Sequence, residues 1–329
     1  MSAHLGFLEA SVVGLFQGVA ELFPVSSLGH SILIPALVGG SWARDLSVSN
    51  PESPYLAFIV GLHVATAIAL IIYYRQDWVR IVRGLLTAAR DREIRTSEQH
   101  LGVLLVLATI PVGLVGLLFE HPLRTHFATP LAASIFLVVN AFVLGGAELL
   151  RRRSVARAPV PAGVGGRTPA ASARSIDALD AQALADDARA GVDPADPGVA
   201  SDVRITRLGW GEGIAVGAAQ IGALFAGISR SGITMAAGLL RGLSHEDAAR
   251  FSFLLATPVI LAAGVLKLPD LFGTLGDGIR GQVLLGSVLS GLGAYVAVRF
   301  LTRYFETRTL IPFAVYCFLF GGFCVIRFA

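Results

Sequence analysis

The sequence predicts an all-α integral membrane protein: an inverted-topology repeat with six transmembrane helices and two re-entrant helical hairpins. Three observations predict it. The 329-residue chain is 54% hydrophobic and only 15% charged, with a mean hydropathy of +0.69, whereas a soluble domain carries about 25% charged residues. Several apolar runs approach the roughly 20 residues that a helix needs to cross a bilayer. Two segments far apart in the chain, each a polar, glycine-rich motif inside apolar flanks, also align with one another without a gap.

The apolar runs are Tyr55–Tyr74, Leu101–Phe119, Pro130–Leu150, Phe251–Leu268, Val283–Leu301 and Leu310–Ile326. Each is read as a transmembrane helix. The first residues have no basic n-region and pass directly into a polar motif, so they do not read as a cleaved signal peptide. Basic residues are almost all Arg, with Lys267 the single Lys. They cluster between apolar runs, which fits membrane flanks and not nucleic-acid binding. Arg75, Arg80, Arg83, Arg90, Arg92 and Arg95 fall in one such segment, Arg151, Arg152 and Arg153 in a second, and Arg299, Arg303 and Arg308 in a third. The positive-inside rule places these on the cytoplasmic side and the Arg-poor segments around Glu120–Thr129 and Pro269–Gly281 outside. Cys317 and Cys324 lie about two turns apart on one helix, too far for a disulfide.

Three parts follow from this pattern. Residues 1–150 form an N-terminal half, a hairpin plus three spans. Residues 151–207, rich in Ala, Pro, Asp, Arg and Gly, read as a flexible cytoplasmic linker with a short helix near Ile176–Arg189. Residues 208–329 form a C-terminal half of the same plan. The halves are related: placing Leu5 on Leu208 also pairs Glu9 with Glu212, Gly14 with Gly217, Gln17 with Gln220, Ser26 with Ser229 and Gly29 with Gly232. Three spans separate the copies. An odd number reverses orientation, which makes the repeat inverted, an arrangement whose broken helices place a site near the midplane. Each copy is two apolar stretches too short to span, joined at a polar break. Exposed backbone at such a break is tolerable only inside protein or beside a wet cavity.

The first break runs from Gln17 to His30. Gln17 and Glu21 share a helix face, Pro24 ends the half-helix, and Ser26 or Ser27 can cap the next one. A carboxylate and an imidazole at this depth are costly unless paired or functional. They either brace the hairpin or do chemistry. The second break, Gly227-Ile228-Ser229-Arg230-Ser231-Gly232-Ile233-Thr234, sets hydroxyls and one Arg before a short helix, and a helix N-terminus attracts anions. Arg230 adds a planar fork that matches phosphate oxygens; it could also pair with Glu21. Together these groups suit phosphoryl transfer, where positioning and charge neutralisation dominate. They also suit an anion transporter.

Glu21-Leu22-Phe23-Pro24-Val25-Ser26-Ser27-Leu28-Gly29-His30 resembles the signature of bacterial undecaprenyl pyrophosphate phosphatases of the bacitracin-resistance type. The Gly227–Thr234 motif resembles their second signature. Phe251–Pro258 and Ile311–Tyr316 look like further family stretches, so the resemblance covers nearly the whole chain except the linker. It implies removal of the terminal phosphate from the C55 isoprenyl pyrophosphate carrier lipid at the bacterial inner (plasma) membrane, assisted by a divalent cation, Mg or Ca. It also implies a core site of Glu21, Ser27, His30 and Arg230. Ser27 or His30 would be the nucleophile, His30 the general base, Glu21 a metal ligand or the orienter of His30, and Arg230 the phosphate clamp. Gln17, Ser26, Gly29, Ser229, Ser231, Gly232 and Thr234 would support substrate binding. The sequence departs from the family pattern at Gln17 (often Glu), Ala20, Leu28, Ala226 (a Pro position) and Cys317 (often Arg), and in its long linker. The expected partners are the lipid pyrophosphate and the bilayer, without nucleic acid, and a homodimer is left open. The runner-up function is a lipid-phosphate or anion transporter on the same scaffold.

Overall fold

A backbone inside hydrocarbon must satisfy its own N–H and C=O groups, and among single segments only the helix does so. The computed structural model describes residues 5–46, 54–157, 180–189, 191–193, 195–272 and 278–329, and among these there is no strand. In chain order the helices are α1 (Phe7–Leu22), α2 (Ser27–Val38), a short α3 (Gly40–Asp45), α4 (Pro54–Tyr73), α5 (Arg75–Asp91), α6 (Ser97–Phe127) and α7 (Pro130–Arg157). Then come α8 (180–189), α9 (Pro197–Thr206) and α10 (Trp210–Ala218), which continues as a 3₁₀ turn over Ala219–Leu224. The chain ends with α11 (Arg230–Leu240), α12 (His245–Phe272), α13 (Arg280–Thr307) and α14 (Ile311–Phe328). Segments of α6, α7, α12, α13 and α14 are long and apolar enough to cross a membrane. The sixth apolar run is α4, which meets α5 at an 86° bend. The protein is thus an all-α, multi-pass membrane protein.

The Arg-rich segment after α4, read from sequence as a loop, is itself a helix. Apolar residues recur at helical spacing between its arginines. Ile81, Gly84 and Ala88 are buried, while Val79, Val82 and Leu86 face outward. An amphipathic helix turned across the end of a span suits the membrane–water interface.

Small residues let the helices approach closely, the usual source of packing energy where lipid removes the hydrophobic drive. A Cβ added at Gly14 would meet the Gly286 carbonyl oxygen at 2.5 Å, and one at Gly18 would meet that of Ser290 at 2.0 Å. The first hairpin therefore lies against α13, in the C-terminal half. The second hairpin mirrors this: a Cβ at Gly217 would stand 2.2 Å from the Ala108 carbonyl oxygen on α6, in the N-terminal half. Each hairpin is seated against the other half of the chain.

In the interhalf segment residues 158–179 lie outside the described residues; α8 falls within the stretch where the sequence predicts a short helix, and α9 is a further helix. Asp196 caps α9 by accepting from the Gly198 N–H at 2.7 Å. Val199, Val203 and Ile205 of α9 are buried. Asp202 reaches Arg250 of α12 at 2.5 Å and Arg80 of α5 at 3.7 Å. Arg250 also holds Asp77 at 2.5 Å, Arg80 pairs with Asp196, and Arg204 forks onto Asp247 at 2.7 and 2.8 Å. Asp187 of α8 accepts from the Ser97 N–H at the start of α6, 2.9 Å away. Asp196 and Asp202 of this segment are thus counter-ions for arginines distant in sequence.

Two predictions follow from this packing. Gly18→Val should lower the thermal midpoint in detergent, because overpacking a closed seam costs about 1–3 kcal/mol. Arg250→Ala should cost about 3 kcal/mol, because it leaves the buried Asp202 with only the 3.7 Å approach of Arg80. Wild-type melting of either variant would refute the contact concerned.

Candidate functional site

The two polar breaks meet. α1 stops at Leu22, and Phe23 is already extended (φ −67°, ψ 143°), the backbone region that a following proline favours. Ser26 takes φ 67°, a left-handed conformation uncommon outside glycine. That turn lets its Oγ accept from the Gly29 N–H, capping α2, and from the Gly227 N–H of the opposite break, both at 3.2 Å. Gly227 has φ 116°, and a Cβ there would lie 2.4 Å from the Ala133 carbonyl oxygen, so only glycine fits. Ser229 caps α11 by accepting from the Gly232 N–H at 3.2 Å. The Ser229 and Ser231 hydroxyls donate to the Phe23 carbonyl at 3.3 and 3.2 Å. Between the breaks stands Asn140 of α7, fully buried. Its Nδ2 donates to the Pro24 carbonyl at 3.1 Å and its Oδ1 accepts from the Ser229 N–H at 3.0 Å.

This scaffold holds a polar cluster around Glu21. The Ser27 hydroxyl donates to Glu21 Oε2 at 2.5 Å. Gln17 Nε2 donates to the same oxygen at 2.9 Å. Arg230 donates to Oε1 at 2.6 Å, and its other terminal nitrogen donates to the Ala256 carbonyl of α12 at 3.1 Å. His63 of α4 brings its Nε2 to 3.2 Å from Gln17 Nε2 and 3.4 Å from Glu21 Oε2. Burying a carboxylate and a guanidinium is costly, and direct pairing with further hydrogen bonds offsets that cost.

The structure thus gathers Gln17, Glu21, Ser27 and Arg230 in one place. Ser26, Gly29, Ser229, Ser231 and Gly232 hold the two breaks together. Thr234 back-bonds to the Arg230 carbonyl at 2.8 Å. His30 stands apart. Its Nδ1 is 2.8 Å from the Ser26 carbonyl and its Nε2 2.8 Å from the Tyr316 hydroxyl of α14, and its ring stacks on Tyr316 and Phe320. The Glu21–His30 pairing that the sequence left as one alternative is not formed, because the preceding turn and α14 hold the ring; the imidazole beside Glu21 is His63. Sequence reasoning missed His63 and Asn140. Each is a lone polar side chain in an apolar run, which is itself a functional signal.

The donor set also bears on a divalent cation. Glu21 is the one carboxylate in the cluster and both its oxygens are engaged. Among the described residues no three His, Cys, Asp or Glu side chains converge. Among the described residues, the groups at this site do not make a complete cage for a resident ion. A hard cation here would draw most of its oxygens from a bound phosphate, a mode that magnesium commonly uses.

The bacitracin resistance protein family, BacA, matches residues 10–323. Curated relatives align nearly end to end. One from Mycolicibacterium paratuberculosis, named undecaprenyl-diphosphatase, is 55% identical over 100% of this chain and 99% of its own. One from Frankia alni, named undecaprenyl-diphosphatase 2, is 54% identical over 99% of each chain. A more distant one from Burkholderia thailandensis, also named undecaprenyl-diphosphatase 2, is 37% identical over 95% of this chain and 94% of its own.

Asn140→Leu should leave the Ser229 N–H and the Pro24 carbonyl unpaired, at about 1–3 kcal/mol each. Thermal unfolding in detergent checks this, and wild-type melting of Asn140→Leu would remove the bridging role.

Proposed function

The chain belongs to the bacitracin resistance protein family BacA, and on that premise we propose that it is an undecaprenyl-diphosphate phosphatase. It would act at the inner (plasma) membrane, releasing the terminal phosphate of the carrier lipid for its reuse in cell-wall synthesis. The observation that carries the reading is the Arg230–Glu21–Ser27 cluster, built from both breaks and buried in a membrane protein. We also read residues 1–150 and 208–329 as an inverted repeat. The reciprocal seating of the hairpins on α13 and α6 supports this.

A diphosphate entering an apolar interior needs a cation and hydrogen-bond donors that are already in place. Arg230 is held between Glu21 and the Ala256 carbonyl, so its fork is oriented beforehand. α11 begins at this residue, so the helix's free N–H groups and positive dipole end lie at the same point. The Ser27 proton points at Glu21, which turns the oxygen's lone pairs outward. Ser27 Oγ, or a water that it orients, would attack the terminal phosphorus while Glu21 accepts the proton. The bond to the bridging oxygen breaks and the lipid monophosphate leaves. If Ser27 attacks, water then hydrolyses the phosphoserine. His30 could replace it only after its Nε2 is freed from the Tyr316 hydroxyl. A divalent cation, held by Glu21 and the phosphates when bound, would neutralise part of the diphosphate charge.

Detergent-solubilised protein should release inorganic phosphate from undecaprenyl diphosphate. Glu21→Gln, Ser27→Ala and Arg230→Lys should each lower turnover by about a hundredfold or more. Lys keeps the charge and loses the fork, so a near-wild-type rate for Arg230→Lys would remove the clamp role. A folded wild-type protein that releases no phosphate would favour the transporter reading.

A further inference from the structure

We infer that His63 is a positioning residue of this site, acting through Gln17 on Glu21; the inference rests on the phosphatase reading above. Hydrogen-bond logic fixes the arrangement. His63 Nδ1 lies 2.8 Å from the Ile59 carbonyl one turn back. A carbonyl only accepts, so Nδ1 carries a ring proton, and when the ring is neutral Nε2 is an acceptor. Gln17 Nε2 stands 3.2 Å from that acceptor and 2.9 Å from Glu21 Oε2. The amide has two N–H groups and two acceptors before it, and each takes one. The 3.4 Å approach of His63 to Glu21 is then two acceptors bridged by an amide.

Without His63 the amide loses this constraint. The terminal torsion of a glutamine is broad and nearly two-fold, so with one anchor the amide samples rotations, including the flip that would present its carbonyl oxygen to the Glu21 carboxylate. That sets oxygen against oxygen beside the group that holds both Ser27 and Arg230. His63 also stands at the open edge of the cluster: its side chain is 29% exposed, against 7% for Glu21 and 14% for Arg230. Its ring is less enclosed than that of His30, which is buried against Tyr316 and Phe320.

The test is a double-mutant cycle on phosphate release from undecaprenyl diphosphate, with melting measured in parallel. His63→Leu should lower kcat about tenfold or more, with KM within about threefold and the melting temperature near wild type. His63→Gln, which keeps an acceptor, should recover most of that rate. In a Gln17→Ala background the step from His63 to Leu should change kcat by less than about twofold, since the amide it holds is gone. The inference is overturned if His63→Leu turns over like wild type, if His63→Gln falls as far as Leu, or if the loss persists undiminished without Gln17. Should His63→Leu not fold, the His63→Gln comparison and the same step to Gln in the Gln17→Ala background decide it. An inactive wild type would instead remove the phosphatase reading itself.

Discussion

Everything at the centre of this protein depends on one constraint: the carboxylate of Glu21 sits in the interior and must be satisfied there. A hydrated surface would leave its partners free to vary. Burial demands that Ser27, Gln17 and Arg230 all reach it. Ser27 and Gln17 come from the same hairpin, but Arg230 belongs to the other half of the chain. The second break must therefore lie against the first, and the cost of exposed turn backbone at that depth must be met there as well. Ser26, Ser229, Ser231 and Asn140 meet it by pairing the breaks' N–H and C=O groups across the junction. The glycines at 14, 18 and 217 then let the hairpins sit close enough for this to happen.

A second buried ionic system lies in the interhalf segment, and α12 links the two. Arg250, near the start of α12, holds Asp77 of α5 and Asp202 of α9. Less than two turns further along, the Ala256 carbonyl holds Arg230. The position of α12 thus sets both the docking of α9 and the aim of the guanidinium. A helix anchored twice by arginines is a stiff support, which is what a preoriented anion site requires.

Much of this was legible in the residues. Hydropathy located the helices because lipid allows a single chain segment few alternatives to a helix. Glu21, Ser27 and Arg230 announced themselves as polar groups in apolar surroundings. Arg230 and Ser27 fall at equivalent points of the repeat, and both do reach one carboxylate. What stayed hidden depends on orientation and on distant partners. Nothing in the sequence says that His30 turns toward α14 while His63, from another helix, stands beside Glu21. The counter-ion role of Asp202 in α9 was not legible because Arg80 and Arg250 are far away in the chain. The Arg-rich run of α5 was read by its charge and not by the apolar spacing between its arginines.

The repeat offers a final lesson about where chemistry resides. The positions at which the two hairpins agree are those that fold them: Ser26 and Ser229 both cap the second helix of their hairpin. Gly14 and Gly217 both admit a neighbouring backbone. Where the copies differ, the charged and nucleophilic groups of the site appear. Glu21 faces its counterpart Leu224, His30 its counterpart Ile233, and Ser27 its counterpart Arg230. Two symmetric hairpins would bring two like groups together, either two carboxylates that repel or two guanidiniums that do. Divergence lets one copy supply the acceptor and hydroxyl while the other supplies the cation. Their opposite charges can then be buried as a pair and still offer a diphosphate both a fork and a nucleophile. Shared residues thus mostly mark the scaffold, Gln17 being the shared residue that also reaches Glu21, while the differing positions supply the opposite charges.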